Sequence, residues 1–115
     1  MEAKYIRKIY KTGEKITIVK IKMPYRVILT VKEIRGKCPA GLKLGDKIVF
    51  EQPLIAKEQS DKLCLFALVS MAPYLTALCR DTPKEDWINS KEDIECPDVQ
   101  NPVIFEIKRE FIRNR

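Results

Sequence analysis

"LCLFALVSMAPYLTALC", Leu63 to Cys79, carries no charged residue in a 115-residue chain that is 33% charged. The chain on both sides reads as β-structure, so the folding of this stretch decides the class. Its 17 residues lie at the lower limit for a membrane span. Ser70, Pro73, Tyr74 and Thr76 weaken that reading, and a span would leave the flanking strands without a core partner. The stretch predicts instead a helix buried over most of its circumference, with Ser60 or Asp61 as its N-cap. Pro73 removes one helical hydrogen bond and disfavours helical geometry at Ala72. The expected outcome is a kink, or two short helices with Pro73 opening the second.

The strands are read outward from that helix. "RVILTVKEI", Arg26 to Ile34, is the clearest of them. Val27, Leu29 and Val31 fall on one face by the period-two rule, and Ile28, Thr30 and Lys32 on the other. Lys47 to Phe50 resumes as a strand until Pro53, and "NPVIFEIKREF" supplies the last one, with Val103, Phe105 and Ile107 together. Upstream, "KYIRKIYKTGEKITIVKIK" reads as a hairpin turning at Thr12-Gly13-Glu14, with a bulge or strand end where the alternation slips between Ile18 and Val19. Trp87 and Ile88 are the expected anchors of the polar stretch Arg80 to Glu95. The order predicts an α+β fold, a small, mainly antiparallel sheet of about five strands packed on one hydrophobic, Pro-interrupted helix.

Length fits one domain, 1–115, with a basic hairpin extension over 1–25 and a core over 26–112. The N-terminus shows neither a signal-peptide apolar region nor the composition of a mitochondrial presequence, so a cytoplasmic location is expected. That compartment predicts reduced thiols at Cys38, Cys64, Cys79 and Cys96 rather than disulfides. The net charge of +6 is uneven. Cations crowd Met1 to Lys22, whereas Glu85, Asp86, Glu92, Asp93, Glu95 and Asp98 dominate the stretch from Lys84 to Asp98.

Two segments repeat a pattern. "KCPAGLKLGDKIVF" begins at Lys37 and "CPDVQNPVIFEI" at Cys96; in each, Cys-Pro is followed by turn residues and then a β-rich run. With "VKEIRG" before the first and "PYLTAL" in the helix between them, the chain from about Arg26 to Arg109 is similar to a family of short prokaryotic proteins of unknown function. The family's three recurrent cysteines would fall on Cys38, Cys64 and Cys96, with Cys79 as an extra. Val99 stands where the family usually has a second proline. "CRDTPKEDW" stands after the helix, where the family tends to have a glycine-rich turn and an aromatic. The resemblance implies one folding unit and supplies no activity.

The residues themselves offer several chemistries. As structure, the Cys-Pro pairs are turns that stop a strand, with cysteine as a small apolar plug. As a site, Cys38, Cys64 and Cys96 form a candidate thiolate set for zinc, another soft metal or an iron–sulfur cluster, although no Cys-x-x-Cys spacing is present. Cys64, beside Lys62 in the helix's first turn, is the best placed for redox or nucleophilic work. With no histidine in the chain, a base would have to be a residue such as Asp46 or Asp98, and turn chemistry explains both aspartates. The chain therefore reads as a binding or interaction module rather than an enzyme.

Lys4, Tyr5, Arg7, Lys8, Tyr10 and Lys11 interleave cations with aromatic rings, as a nucleic-acid contact would. A solvated lysine-rich strand accounts for them as well. The hairpin also offers strand edges for pairing with a second copy, so a homodimer is expected.

Overall fold

A computed structural model describes residues 4–12 and 15–112, with side-chain surroundings from Met23 to Ile112. Strands β1 (Lys4–Thr12) and β2 (Lys15–Met23) pair antiparallel as their own two-stranded sheet. Their register runs without a shift through Ile18 and Val19, so the expected bulge does not occur there. It occurs instead in β3 (Tyr25–Ile34), between Val31 and Glu33. The expected nucleic-acid contacts Lys4, Tyr5, Arg7, Lys8, Tyr10 and Lys11 have side chains that lie outside the described surroundings.

The main sheet is fully antiparallel. Its order is β5 (Leu54–Ile55), β4 (Lys47–Glu51), β3, β7 (Val103–Phe111) and β6 (Asp93–Glu95). One helix, α1 (Leu65–Cys79), completes the α+β fold. Val27, Leu29 and Val31 are all buried, as their alternation predicts, and they share one core with Phe105, Met71 and Leu78. Phe105 and Leu29 are 0% exposed. Full burial of such a side chain contributes about 1.5–3 kcal/mol each.

Three helical expectations need correction. Ser60 and Asp61 do not cap α1, because strand β4 uses their oxygens: Val49 N–H donates to Ser60 Oγ at 2.9 Å and Lys47 N–H to Asp61 Oδ2 at 2.9 Å. Cys64 takes the N-cap position, without a side-chain cap bond. Pro73 does not divide the helix, which continues through it. Nor is α1 buried over most of its surface. Ala67, Met71, Leu75 and Leu78 form one buried stripe, while Leu65, Phe66 and Val69 are exposed.

Farther along, Ile88 anchors its segment in the core. Trp87 is 63% exposed and meets Tyr74 edge-on, so it is no core anchor. The far end of the helix is fastened to the sheet by Arg109 of β7. Its Nε donates to the Leu78 carbonyl at 2.8 Å and its Nη2 to the Arg80 carbonyl at 2.7 Å. These are carbonyls that a helix end cannot satisfy internally. Fixing that end fixes where the other end, with Cys64, must lie. Among the described residues no helix is long and apolar enough to cross a membrane.

Candidate functional site

The two Cys-Pro segments meet because of strand pairing. In the antiparallel ladder of β3 with β7, Ile34 lies opposite Val103. Cys38 comes just after the first of these residues and Cys96 just before the second, so both turns leave the sheet at the same end.

A side-chain clamp then holds the turns together. The Asn101 Oδ1 accepts the Lys37 backbone N–H at 2.9 Å, and Arg35 N–H donates to the Pro102 carbonyl at 2.9 Å. Gly36 makes this approach geometrically available. Its φ is +94°, and a Cβ built there would stand 2.5 Å from Asn101 Oδ1. A side chain at 36 and the Asn101 clamp cannot coexist without displacement.

Each turn is also organised internally. Gly41 N–H donates to the Cys38 carbonyl at 3.0 Å. Asp98 Oδ1 accepts both Gln100 N–H at 3.0 Å and Asn101 N–H at 3.1 Å. Asp46 Oδ2 accepts Lys43 N–H at 3.0 Å. Asp98 thus bonds its own following backbone, as its sequence context suggested, whereas Asp46 closes its turn from the other side by accepting from a residue that precedes it. Lys62 Nζ reaches the Gly41 carbonyl at 3.4 Å, a weak tie between the start of α1 and the first Cys-Pro turn.

The result is a cleft of 640 Å³ among three separate chain segments. Cys38, Cys64 and Cys96 all line it, together with Pro39, Pro97, Leu65 and Phe66. Asp98 and Asn101 supply polar atoms at its wall. A volume of this order suits a small organic ligand or a compact cofactor. All three cysteines are half-buried, whereas Cys79 is 0% exposed within the core; none of the four forms a disulfide. The Cys96 sulfur also accepts a backbone bond, from Val103 N–H at 3.2 Å.

The structure therefore brings Cys38, Cys64 and Cys96 to one cavity. Among the described residues, however, no group of three or more His, Cys, Asp or Glu side chains is arranged to hold a metal ion. A single tetrahedral zinc would require its sulfurs within about 3.8 Å of one another, from metal–sulfur bonds near 2.3 Å.

Beyond Cys38 a shallower groove of 600 Å³ runs past Lys32, Lys37 and Lys43. Lys32 is held above its ordinary pKa chiefly by its hydrogen bond to Asp93, 2.8 Å away. Arg35 is likewise held high by Glu33. Lys32 and Arg35 are thus already engaged with local carboxylates, and neither lines the thiol-walled cleft.

Sequence reasoning missed three contributors. Leu65 and Phe66 were hidden by the expectation of an all-round buried helix. Asn101 was legible only as part of a turn, though Gly36 before Lys-Cys-Pro was a signal that something approaches that backbone closely. No family model matches the chain, and neither a curated protein nor a solved structure is detectably similar to it.

Proposed function

We propose that the protein is a small-ligand binding module whose ligand lies in the cleft walled by Cys38, Cys64 and Cys96. One observation carries this reading: three of the four cysteines, drawn from three separate stretches of chain, line the same largely apolar cavity. A cysteine serving only as a core plug belongs where Cys79 sits, sealed from solvent. The cleft's rim supports the same reading. Leu65 and Phe66 are 67% and 66% exposed, which costs solvation unless something covers them. Asp98 and Asn101 would orient a polar group on an otherwise apolar ligand.

The test is a titration with the apolar fluorophore anilinonaphthalene sulfonate. Wild-type protein should bind it with enhanced emission and slow the alkylation of Cys38, Cys64 and Cys96. The pair Leu65→Ser and Phe66→Ser, on an exposed helix face, should fold normally and bind it at least tenfold more weakly. Equal binding by that variant would overturn the assignment.

A further inference from the structure

One side of α1 packs into the core through Ala67, Met71, Leu75 and Leu78, yet its opposite side is not polar. Leu65, Phe66 and Val69 are 67%, 66% and 60% exposed, and Ala72 and Pro73 are exposed beside them. Helix positions three and four apart are neighbours, so these five residues form one continuous apolar patch. A helix on the surface of a lone domain ordinarily turns charged or polar residues outward. From Leu65 to Cys79, α1 has no charged residue at all. We propose that this face pairs with the same face of a second copy of the chain, giving a two-fold dimer with the helices antiparallel.

The spacing of the five residues selects self-pairing. Leu65 and Phe66 lie four and three positions before Val69, and Pro73 and Ala72 lie four and three positions after it. A two-fold axis at Val69 therefore sets Val69 against its own counterpart. It also lays Leu65 and Phe66 of each copy over Ala72 and Pro73 of the other. Large side chains meet small ones on both sides of the axis, as close packing of a self-complementary surface requires. A parallel pairing would instead stack Phe66 on its counterpart and leave Ala72 facing Ala72 across a gap.

Size and charge agree. The exposed parts of the five side chains amount to about 500 Å² per copy, so the pair would bury about 1,000 Å², the least that a specific interface needs. With no charge on the helix, no like charges are brought together across the axis. The same absence disfavours a lipid surface as the occupant, because helices that lie on membranes carry Lys or Arg along their polar side. The pairing does not depend on a ligand, since Val69, Ala72 and Pro73 lie outside the lining of the cleft. Leu65 and Phe66 also wall the cleft, so the second copy would close its helix-side edge.

Light scattering on the full chain, from low to high micromolar concentration, reads the mass directly. Wild type should move from one-chain to two-chain mass over that range, as an interface of minimum size predicts. Val69→Glu and Val69→Lys should each raise the dissociation constant at least tenfold, because each sets like charges face to face on the axis. Mixed in equal amounts, the two variants should regain the two-chain mass, since opposite charges then meet. Val69 is exposed, so both variants should fold, with far-ultraviolet circular dichroism as the check. A one-chain mass for wild type at every concentration overturns the dimer, and a mixture that stays monomeric overturns its register. A two-chain mass for Val69→Glu alone would move the contact to another surface. Monomeric protein that floats with phosphatidylcholine vesicles would give the face to lipid; either result overturns the proposal. Failure of the dimer leaves fluorophore binding by wild type intact, so the two readings fail separately.

Discussion

Cys79 and Cys96 carry the same side chain into opposite situations. Cys79 closes the buried stripe at the end of α1, fully enclosed by the core. Cys96 sits half-buried beside a cavity, its sulfur facing a backbone donor and two other cysteines sharing the same wall. The difference comes from the chain segment immediately C-terminal to each residue. Cys79 ends a helix whose carbonyls Arg109 secures, so its neighbourhood is set by core packing. Cys96 opens a turn pinned by Asp98 and Asn101, so its neighbourhood is set by hydrogen bonds at the sheet's end. A cysteine's burial is thus a property of the element that presents it.

The largest effect on this contrast is expected at Gly36. Gly36→Ala forces a non-glycine residue to φ +94° and drives a methyl group against Asn101. A left-handed backbone costs about 1–2 kcal/mol and a lost hydrogen bond about 1 more, so urea unfolding should show a loss of about 2–3 kcal/mol. The same change should separate the reactivity of Cys38 from that of Cys96.

Cys79→Ser comes next. Placing a hydroxyl in the core should cost about 1–3 kcal/mol without altering cleft chemistry. Asn101→Ala removes the clamp and leaves the backbone untouched. Its expected cost is about 1 kcal/mol, with faster alkylation of Cys38 as the two turns part. The smallest stability effect belongs to Cys64→Ser, within about 0.5 kcal/mol, since its side chain makes no cap bond. That substitution should nonetheless weaken whatever the cleft binds. A Cys64 change as costly as the Cys79 change would erase the distinction between plug and site.

Much of the fold was legible because its signals are local. The alternation in "RVILTVKEI" maps directly onto the buried face of β3, and the uncharged stretch is indeed the helix. What was not legible depends on long-range partners. Ser60 and Asp61 are good caps by composition, but β4 reaches their oxygens first. The bulge sits at Val31/Glu33, where β7 must be accommodated, rather than at the break in pattern near Ile18.

The convergence of Cys38, Cys64 and Cys96 belongs to the same class. Their wide spacing carries no chelation signal; the β3–β7 register and the Lys37–Asn101 hydrogen bond bring Cys38 and Cys96 together, and the placement of α1 adds Cys64. The opposite error came from composition. An all-apolar helix suggested complete burial, whereas Leu65, Phe66 and Val69 face outward near the cleft's end of α1.

The central claim, that three cysteines form one site while the fourth is core, is tested most directly by residue-resolved alkylation of the native, reduced protein read by mass spectrometry. Cys38, Cys64 and Cys96 should react in the folded state and become protected together when the apolar fluorophore occupies the cleft, while Cys79 should react only on unfolding. Three cysteines protected independently of one another, or Cys79 reacting alongside them in the native protein, would contradict it.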